Sequence, residues 1–224
     1  MRCTNSTAGS ARRWREELTI KIDQPGQPGE YDDGLQAVLQ LVWGEGFLSP
    51  GGPEEIARLL DGSDLAGAAV LDIGCGLGVV DELLAGQYGA ASVIGVDIEP
   101  DLIERARARI LQAGLADRVG FQLVSHGPLP FAAESFDIVF SKDALTQIPD
   151  KPAVFTDIHR VLRPGGRFLA SDWLRGDNGP YSAEMLEFFR LEGITYNMAS
   201  PEQSAAALRA AADRKSTRLN SSHS

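Results

Sequence analysis

The sequence predicts an α/β fold, a three-layer α/β/α sandwich built around a mainly parallel β-sheet. From residue 69 to residue 172, short apolar segments alternate with longer segments that have helical periodicity. The segment 136–141 is almost continuously apolar, which is typical of a strand buried on both faces of a sheet. Five strands separated by helices are expected to lie parallel and to be joined by right-handed crossovers.

Local signals place each element in turn. Apolar residues between positions 35 and 42 recur at helical spacing, and Pro53 followed by Glu54 is typical of the start of a second helix. The strands are predicted at residues 69–73, 92–97, 119–124, 136–141 and 167–172. The helices are predicted at residues 35–43, from 53 onward, and at 77–87, 100–113, 152–162, 181–191 and 201–211.

A glycine-rich turn, with Gly74, Gly76 and Gly78, joins the predicted first strand to the next helix. Glycines at the carboxyl end of a strand let the chain turn tightly and let a ligand approach the backbone closely. A dinucleotide-binding turn would have a further glycine at position 79, where Val79 stands. The spacing therefore favours a nucleoside ligand other than a dinucleotide.

Two acids accompany this turn, because Asp72 precedes it and Asp97 ends the predicted second strand. A carboxylate at the second strand end can accept hydrogen bonds from the hydroxyls of a ribose. A carboxylate beside the first glycine suits the cationic amino-acid end of S-adenosylmethionine (SAM) and would repel a pyrophosphate. The segment predicts a SAM site, with NAD or FAD, or a turn without a ligand, as the alternatives.

Several further segments carry a family resemblance. Residues 70–78, 94–97, 136–143 and 161–166 resemble the successive motifs of class I SAM-dependent methyltransferases, which have a Rossmann-like fold. The segment from Tyr31 to Gly52 resembles the N-terminal cap of phosphoethanolamine N-methyltransferases and related small-molecule methyltransferases. The resemblance covers roughly residues 31–211, and it implies SAM as the methyl donor and S-adenosylhomocysteine as the product.

The resemblance also implies which residues hold the cofactor. They fall on the glycine turn, on the ends of the first four strands and on the cap that closes over them. These residues are Tyr31, Ser49, Asp72, Gly74, Gly76, Asp97, Ile98, Ser125, His126 and Lys142.

Three residues are the candidates for catalysis. We expect Asp143 to hold a cationic amine. The alternative interpretation is that its carboxylate caps the short helix that follows it, and the two roles are compatible. Tyr31 is expected to close the cap and to orient the nucleophile. Gln147 stands where the phosphoethanolamine enzymes have a histidine paired with the cap tyrosine, and glutamine cannot act as a base near neutral pH.

Other differences from that family concern the acceptor. Trp173 stands for a tyrosine, and Glu192 and Ile194 fall near an expected arginine and an expected tyrosine. Without the arginine, bidentate capture of a phosphate is lost, which argues against a phosphobase acceptor. We expect a methyltransferase that acts on a small molecule, with an amine nitrogen favoured. The alternatives are O- or C-methylation of a small metabolite and a SAM-binding protein without turnover.

Composition limits the partners of the protein. The 224 residues have a formal net charge of −10, which disfavours nucleic acid because phosphate binding depends on Lys and Arg. No apolar run is as long as a membrane span, so no membrane partner is expected. The two cysteines provide neither a disulfide framework nor a zinc cluster, so we expect a cytoplasmic protein without a metal.

Both ends of the chain differ in character from its middle. Residues 1–29 are polar and predict a flexible arm, and residues 30–212 predict the methyltransferase domain, with a helical cap at 30–62 and the core at 63–212. From Asp213 to His223 the sequence matches the translation of a common sequencing adapter, so residues 213–224 are interpreted as an artefactual tail without helical periodicity. Class I methyltransferases usually end with two more strands, and we expect these to be missing.

Overall fold

The computed structural model describes residues 31–177 and 179–221, and the calls on residues 1–29 and on the last three residues of the tail lie outside this part. The helices are α1 (Asp33–Trp43), α2 (Gly52–Leu59), α3 (Val79–Gly86), α4 (Pro100–Gln112), α5 (Lys151–Val161), α6 (Ala183–Glu192) and α7 (Pro201–Ser221), with a short 3-10 helix at Leu145–Gln147. The strands are β1 (Ala69–Ile73), β2 (Ser92–Asp97), β3 (Val119–Leu123), β4 (Phe136–Lys142) and β5 (Leu162–Ser171).

The five strands form one parallel sheet in the order β3-β2-β1-β4-β5. The central strand β1 pairs on both sides, with Leu71 opposite Ile94 on one side and opposite Val139 on the other. The chain reverses its direction of sheet growth between β3 and β4, so the carboxyl ends of β1 and β4 flank a crevice where such sheets bind ligands. The predicted parallel α/β sandwich is therefore confirmed.

Each face of the sheet is covered by helices. On one face Val70 and Phe140 pack with residues of α2, α3 and α4, among them Ile56 and Leu84. On the other face Leu71 packs with residues of α5 and α7. Because β1 is buried on both faces, all of its residues except Asp72 are apolar, and each fully buried Leu or Ile contributes about 2 kcal/mol.

β5 begins earlier than predicted. The sequence predicts this strand at 167–172, whereas the structure pairs Leu162 with Phe136 and then resumes at Arg167 opposite Ile138. The residues between them bulge out of the register. Gly166 packs so closely here that a Cβ atom would lie 2.9 Å from the backbone oxygen of Asp137. The Pro-Gly-Gly segment thus lies within the strand.

The last helix, α7, is longer than predicted. The sequence analysis ended it at residue 211 and expected no helix in residues 213–224, but α7 continues through Ser221. That expectation was wrong because no Gly or Pro follows Pro201 in this helix, and the polar residues here are mostly compatible with a helix. The origin of residues 213–224 stays a prediction. None of the helices in the described part of the chain is long and apolar enough to cross a membrane.

Candidate active site

A cavity of about 640 Å³ lies at the carboxyl edge of the sheet, between the glycine turn and the N-terminal helices. Every residue that the sequence predicts for cofactor binding or catalysis lines it. These residues are Tyr31, Ser49, Asp72, Gly74, Gly76, Asp97, Ile98, Ser125, His126, Lys142, Asp143 and Gln147. The structure thus brings together residues that are up to 116 positions apart along the chain.

The backbone donors of the glycine turn are already bonded within the protein. The backbone N–H groups of Gly74 and Cys75 both donate to the Val96 carbonyl oxygen, at 2.8 and 3.1 Å. The N–H of Gly76 donates to Oδ2 of Asp97 at 2.9 Å. These three groups therefore offer no donor to a phosphate, which sets this turn apart from a dinucleotide-binding turn.

Gly74 is required by close packing as well as by its backbone conformation. Its φ is +78°, and a Cβ atom there would lie 2.1 Å from the Cβ of Ala144. A side chain at position 74 would consequently push apart the ends of β1 and β4, between which the cavity opens.

Asp97 presents a half-buried carboxylate to the cavity. Its two oxygens accept from the N–H of Gly76 at 2.9 Å and from the N–H of Glu99 at 3.1 Å. Burial raises the pKa of Asp97, and these N–H groups oppose the rise by stabilising the charged form. Each oxygen keeps a second acceptor position, so the carboxylate can accept from a pair of neighbouring hydroxyls.

Two further carboxyl groups lie beside Asp97. Asp72 is 2% exposed, and its burial together with the charge of Asp97 raises its pKa to about 7. Asp81, in the first turn of α3, is fully buried, and sequence reasoning missed it. The available signal was an acid among the inward-facing apolar residues Val80 and Leu84 of the predicted helix.

Lys142, at the end of β4, forms hydrogen bonds and an ion pair with residues of the N-terminal helices and the loop between them. Its ammonium group donates to Oγ of Ser49 at 2.7 Å and to the Asp143 carboxylate at 2.6 Å, and it lies 3.5 Å from the Glu55 carboxylate. The Lys142 side chain is 5% exposed, so these oxygens replace its hydration. Asp143 has a φ of +56° and caps no helix, because the N-cap of the 3-10 helix is Ala144. The capping alternative for Asp143 is therefore wrong.

Gln147 donates from Nε2 to the hydroxyl oxygen of Tyr31 at 3.0 Å. Gln147 is the last residue of the 3-10 helix, and the side chains of Asp172 and Lys151 form hydrogen bonds with the backbone of this helix. Oδ1 of Asp172 accepts from the N–H of Thr146 at 3.0 Å, and the Lys151 ammonium donates to the carbonyl oxygens of Leu145 and Ile148. Burial raises the pKa of Asp172 to about 6 and lowers the pKa of Lys151.

The segment after α6 contacts the same 3-10 helix. The N–H of Asn197 donates to the Thr146 carbonyl oxygen at 2.7 Å, and its Nδ2 donates to the Gln147 carbonyl oxygen at 3.2 Å. Tyr196 donates its hydroxyl to Oε2 of Glu192 at 2.6 Å. Burial and that carboxylate raise the pKa of Tyr196, and the charges of Tyr31 and Asp143 act in the same direction.

Sequence reasoning missed Tyr196 and Asn197, since no local pattern predicts that this segment contacts the 3-10 helix beside the cavity. Glu192, Ile194 and Trp173, which the sequence analysis compared with phosphate-reading positions, are not among the residues that line the cavity. Trp173 is 49% exposed.

Similar proteins are known by sequence and by structure. The chain is 35% identical to phosphoethanolamine N-methyltransferase 1 of Arabidopsis thaliana over 155 residues, which is 69% of this chain and 31% of that protein. It is 36% identical to an arsenite methyltransferase of Halobacterium salinarum over 147 residues, 59% of this chain and 37% of that protein. The chain thus spans about a third of the length of these curated relatives.

Among solved structures, phosphoethanolamine N-methyltransferase 2 of Haemonchus contortus has a TM-score of 0.74 and 29% identity, covering 81% of this chain and 42% of that protein. One of its structures is a complex with SAM, and another is a complex with phosphomonomethylethanolamine and S-adenosylhomocysteine. Residues 64–209 match the protein family described as a methyltransferase domain. The chain, with its five-stranded parallel sheet and Rossmann-like core, belongs to this methyltransferase domain family.

Proposed function

We propose that the protein is a SAM-dependent methyltransferase that transfers a methyl group to a small-molecule acceptor, with an amine nitrogen favoured. The observation that carries the proposal is the glycine turn, whose donors are bonded internally beside the buried Asp72 and the half-buried Asp97. Such a site rejects phosphates and suits a ligand that has a cationic end and ribose hydroxyls.

The residues that line the cavity fit SAM along its length. Asp97 can accept from the ribose hydroxyls, and Asp72 can face the cationic amino-acid end. Apolar residues beyond Asp97, among them Ile98 and Leu129, provide a surface for the adenine, with Ser125 and His126 at its edge. When bound, SAM supplies a methyl group on a positively charged sulfur.

Charge at the end of β4 supports an amine acceptor. The group formed by Lys142, Asp143 and Glu55 contains one cation and two carboxylates, so one negative charge is left over. Lys142 and Asp143 line the cavity, whereas Glu55 does not, so Asp143 is the carboxylate of this group that a ligand can reach. A cationic amine can balance this charge and then lose its proton to a carboxylate or to water before it attacks.

Tyr31 and Gln147 act on orientation rather than as a base. The amide of Gln147 donates to the phenol oxygen of Tyr31, so the two side chains hold each other at the cavity wall, against which the acceptor can be oriented. Holding an acceptor close behind the methyl group supplies much of the rate of such a displacement, because its cost in entropy has already been met by binding.

Calorimetric titration with SAM tests the cofactor. We expect the unmodified chain to bind SAM. Asp97→Ala should lower the affinity for SAM about 100-fold, because it removes the acceptors for the two ribose hydroxyls. Asp117→Ala is the matched control, because Asp117 is exposed and does not line the cavity. Absence of SAM binding, or an equal loss in both variants, would contradict the proposal.

Release of S-adenosylhomocysteine with a panel of acceptors tests the reaction. We expect amines without phosphate, such as ethanolamine and sarcosine, to be better acceptors than phosphoethanolamine. The reason is that Glu192, which accepts a hydrogen bond from Tyr196, falls near the position where an arginine is expected to bind the phosphate. A preference for phosphoethanolamine would refute this acceptor class. SAM binding without product release by any acceptor would favour a SAM-binding protein, an alternative that the glutamine at position 147 keeps open.

A further inference from the structure

Three carboxyl groups lie together at the floor of the cavity, two of them buried and one half-buried, and they come from three different elements. Asp72 lies in β1, Asp81 in α3 and Asp97 at the end of β2. The carboxylate of Asp97 accepts hydrogen bonds from two backbone N–H groups. Asp81 is fully buried, and neither of its carboxyl oxygens has such a donor. Burying a charged carboxylate without a hydrogen-bond partner costs roughly several kcal/mol of free energy. Three carboxyl groups this close together therefore cannot all be charged at once.

Neither carboxyl oxygen of Asp81 accepts a hydrogen bond from an N–H or O–H group of another described residue. The sheet makes room for it at Gly95, where a Cβ atom would lie 2.7 Å from Oδ1 of Asp81. Gly95 is directly opposite Asp72 in the register of β1 and β2. The missing side chain at position 95 therefore seats Asp81 next to Asp72, and a hydrogen bond between two carboxyl groups requires a proton on one of them.

The neighbouring groups cannot neutralise this pair. The titratable groups of the described residues that act on it are Asp97 and the Cys75 thiol, and both are acidic. From β3 and β4, the residues beside the pair are Phe121 and Phe140, which are apolar. Only a proton, or a cation that enters the cavity, can therefore balance the charge.

The two acids are not equivalent, because Asp72 lines the cavity and Asp81 does not. Burial, followed by the charge of Asp72, raises the pKa of Asp81 well above its usual range. The proton belongs on the deeper acid and the charge on the acid that faces a ligand.

We infer that Asp81 is a positioning residue, which keeps its proton at neutral pH and donates it to Asp72, so that Asp72 is the ionised partner of a cationic amino group. This role rests on the proposed function, since the amino group is that of the methionine part of SAM. Asp81 stays protonated throughout, and any proton that Asp72 has bound below about pH 7 leaves to solvent when the cation enters.

Calorimetry on the full chain tests this role with two variants and two ligands. Asp81→Asn keeps a donor toward Asp72, whereas Asp81→Ala removes it. The ligands are SAM and 5′-methylthioadenosine, which lacks the amino-acid end and reports whether each variant is folded. Titrations run from about pH 6 to about pH 9 in two buffers with different heats of ionisation, so that released protons are counted.

We expect the unmodified chain and Asp81→Asn to bind SAM with similar affinity at pH 7. Asp81→Ala should bind SAM about 10-fold or more weakly at that pH, because Asp72 lacks its donor in this variant and holds its own proton more tightly. The variant should recover part of the lost affinity at higher pH, where Asp72 is ionised. Proton release should accompany SAM below about pH 7 in the unmodified chain and should be missing in Asp72→Asn. Binding of 5′-methylthioadenosine should be the same in all of them.

The outcomes separate this role from the proposed function. Equal losses in Asp81→Asn and Asp81→Ala, or a pH profile that Asp81→Ala leaves unchanged, overturn the role of Asp81 alone. If the unmodified chain binds neither ligand, the proposed function fails and the role of Asp81 fails with it.

Discussion

The two sides of the cavity are built in different ways. The glycine-turn side, residues 72–78 with Asp97, is held by backbone hydrogen bonds and by an acid 21 residues away from Gly76. The cap side, Tyr31 with the 3-10 helix and residues 192–198, depends on partners as far apart as Tyr31 and Gln147, 116 residues from each other. The first is a closely packed turn held mainly by backbone N–H groups, whereas the second depends mainly on side-chain contacts between distant segments.

Exposure differs in the same way. Asp72 and Asp97 lie among buried strand residues, whereas α6, which leads into the cap side, has no buried residue and exposes Phe188 and Leu191. Substitutions on the cap side therefore disturb less buried packing than substitutions on the glycine-turn side. Relatives that are similar over the shared region, such as the phosphoethanolamine and arsenite methyltransferases, carry names with different acceptors.

The largest effect is expected on the glycine-turn side, for Gly74→Ala. The added Cβ would lie 2.1 Å from the Cβ of Ala144 in a backbone with φ of +78°, so we expect the free energy of unfolding to fall by about 4 kcal/mol. Urea unfolding measures it. Gly62→Ala is the matched control, because Gly62 has a φ of +67° with no atom within 4 Å and should lose only about 1 kcal/mol. Similar losses at both positions would mean that close packing does not define this turn.

Lys142→Met tests the joint between the two sides. It leaves the Asp143 and Glu55 carboxylates without their cation, so we expect a loss of about 3 kcal/mol in the free energy of unfolding. Arg190→Met removes the exposed ion pair with Glu187 and should leave the unfolding midpoint unchanged. If thermal unfolding shows equal shifts for the two variants, the Lys142 contacts do not fasten the cap.

Asp172 gives the cap side a pH dependence. Because its pKa is about 6 when folded and lower when unfolded, the folded chain holds a proton that the unfolded chain has lost, and stability falls as the pH rises from about 4 to about 6. Partial exposure reduces this contribution to about 1–2 kcal/mol. We expect Asp172→Asn, which keeps an acceptor for the N–H of Thr146, to have a flatter stability curve over that range. Parallel curves for the two proteins would show that Asp172 does not titrate in this way.

The smallest effect is expected for the contact between Tyr31 and Gln147. A double-mutant cycle with Tyr31→Phe and Gln147→Leu should give a coupling of about 1 kcal/mol in the free energy of unfolding, the usual value for one neutral hydrogen bond. The affinity for SAM should change less than the rate of methyl transfer, because the contact orients the acceptor. A coupling near zero would show that the two side chains act independently.

The sequence predicted the glycine-turn side well and the cap side incompletely. Strand bounds at 69–73 and 92–97 were confirmed, because parallel strands are apolar and end at polar residues. The contact of Asn197 with the 3-10 helix was not predictable, since it depends on how the chain returns after α6. Asp81 was missed because a charged residue in a first helical turn usually faces water.

The occupied donors of the glycine turn bear on competition among ligands in the cell. ATP and NAD are abundant there, and each contains the adenosine that the proposed SAM site would hold at Asp97 and the loop after β3. A phosphate entering here would meet the carboxylates of Asp72 and Asp97 and find the N–H groups of Gly74 and Gly76 already taken. The turn can thus reject the commonest adenosine compounds by the charge that it presents, without any contact made for that purpose.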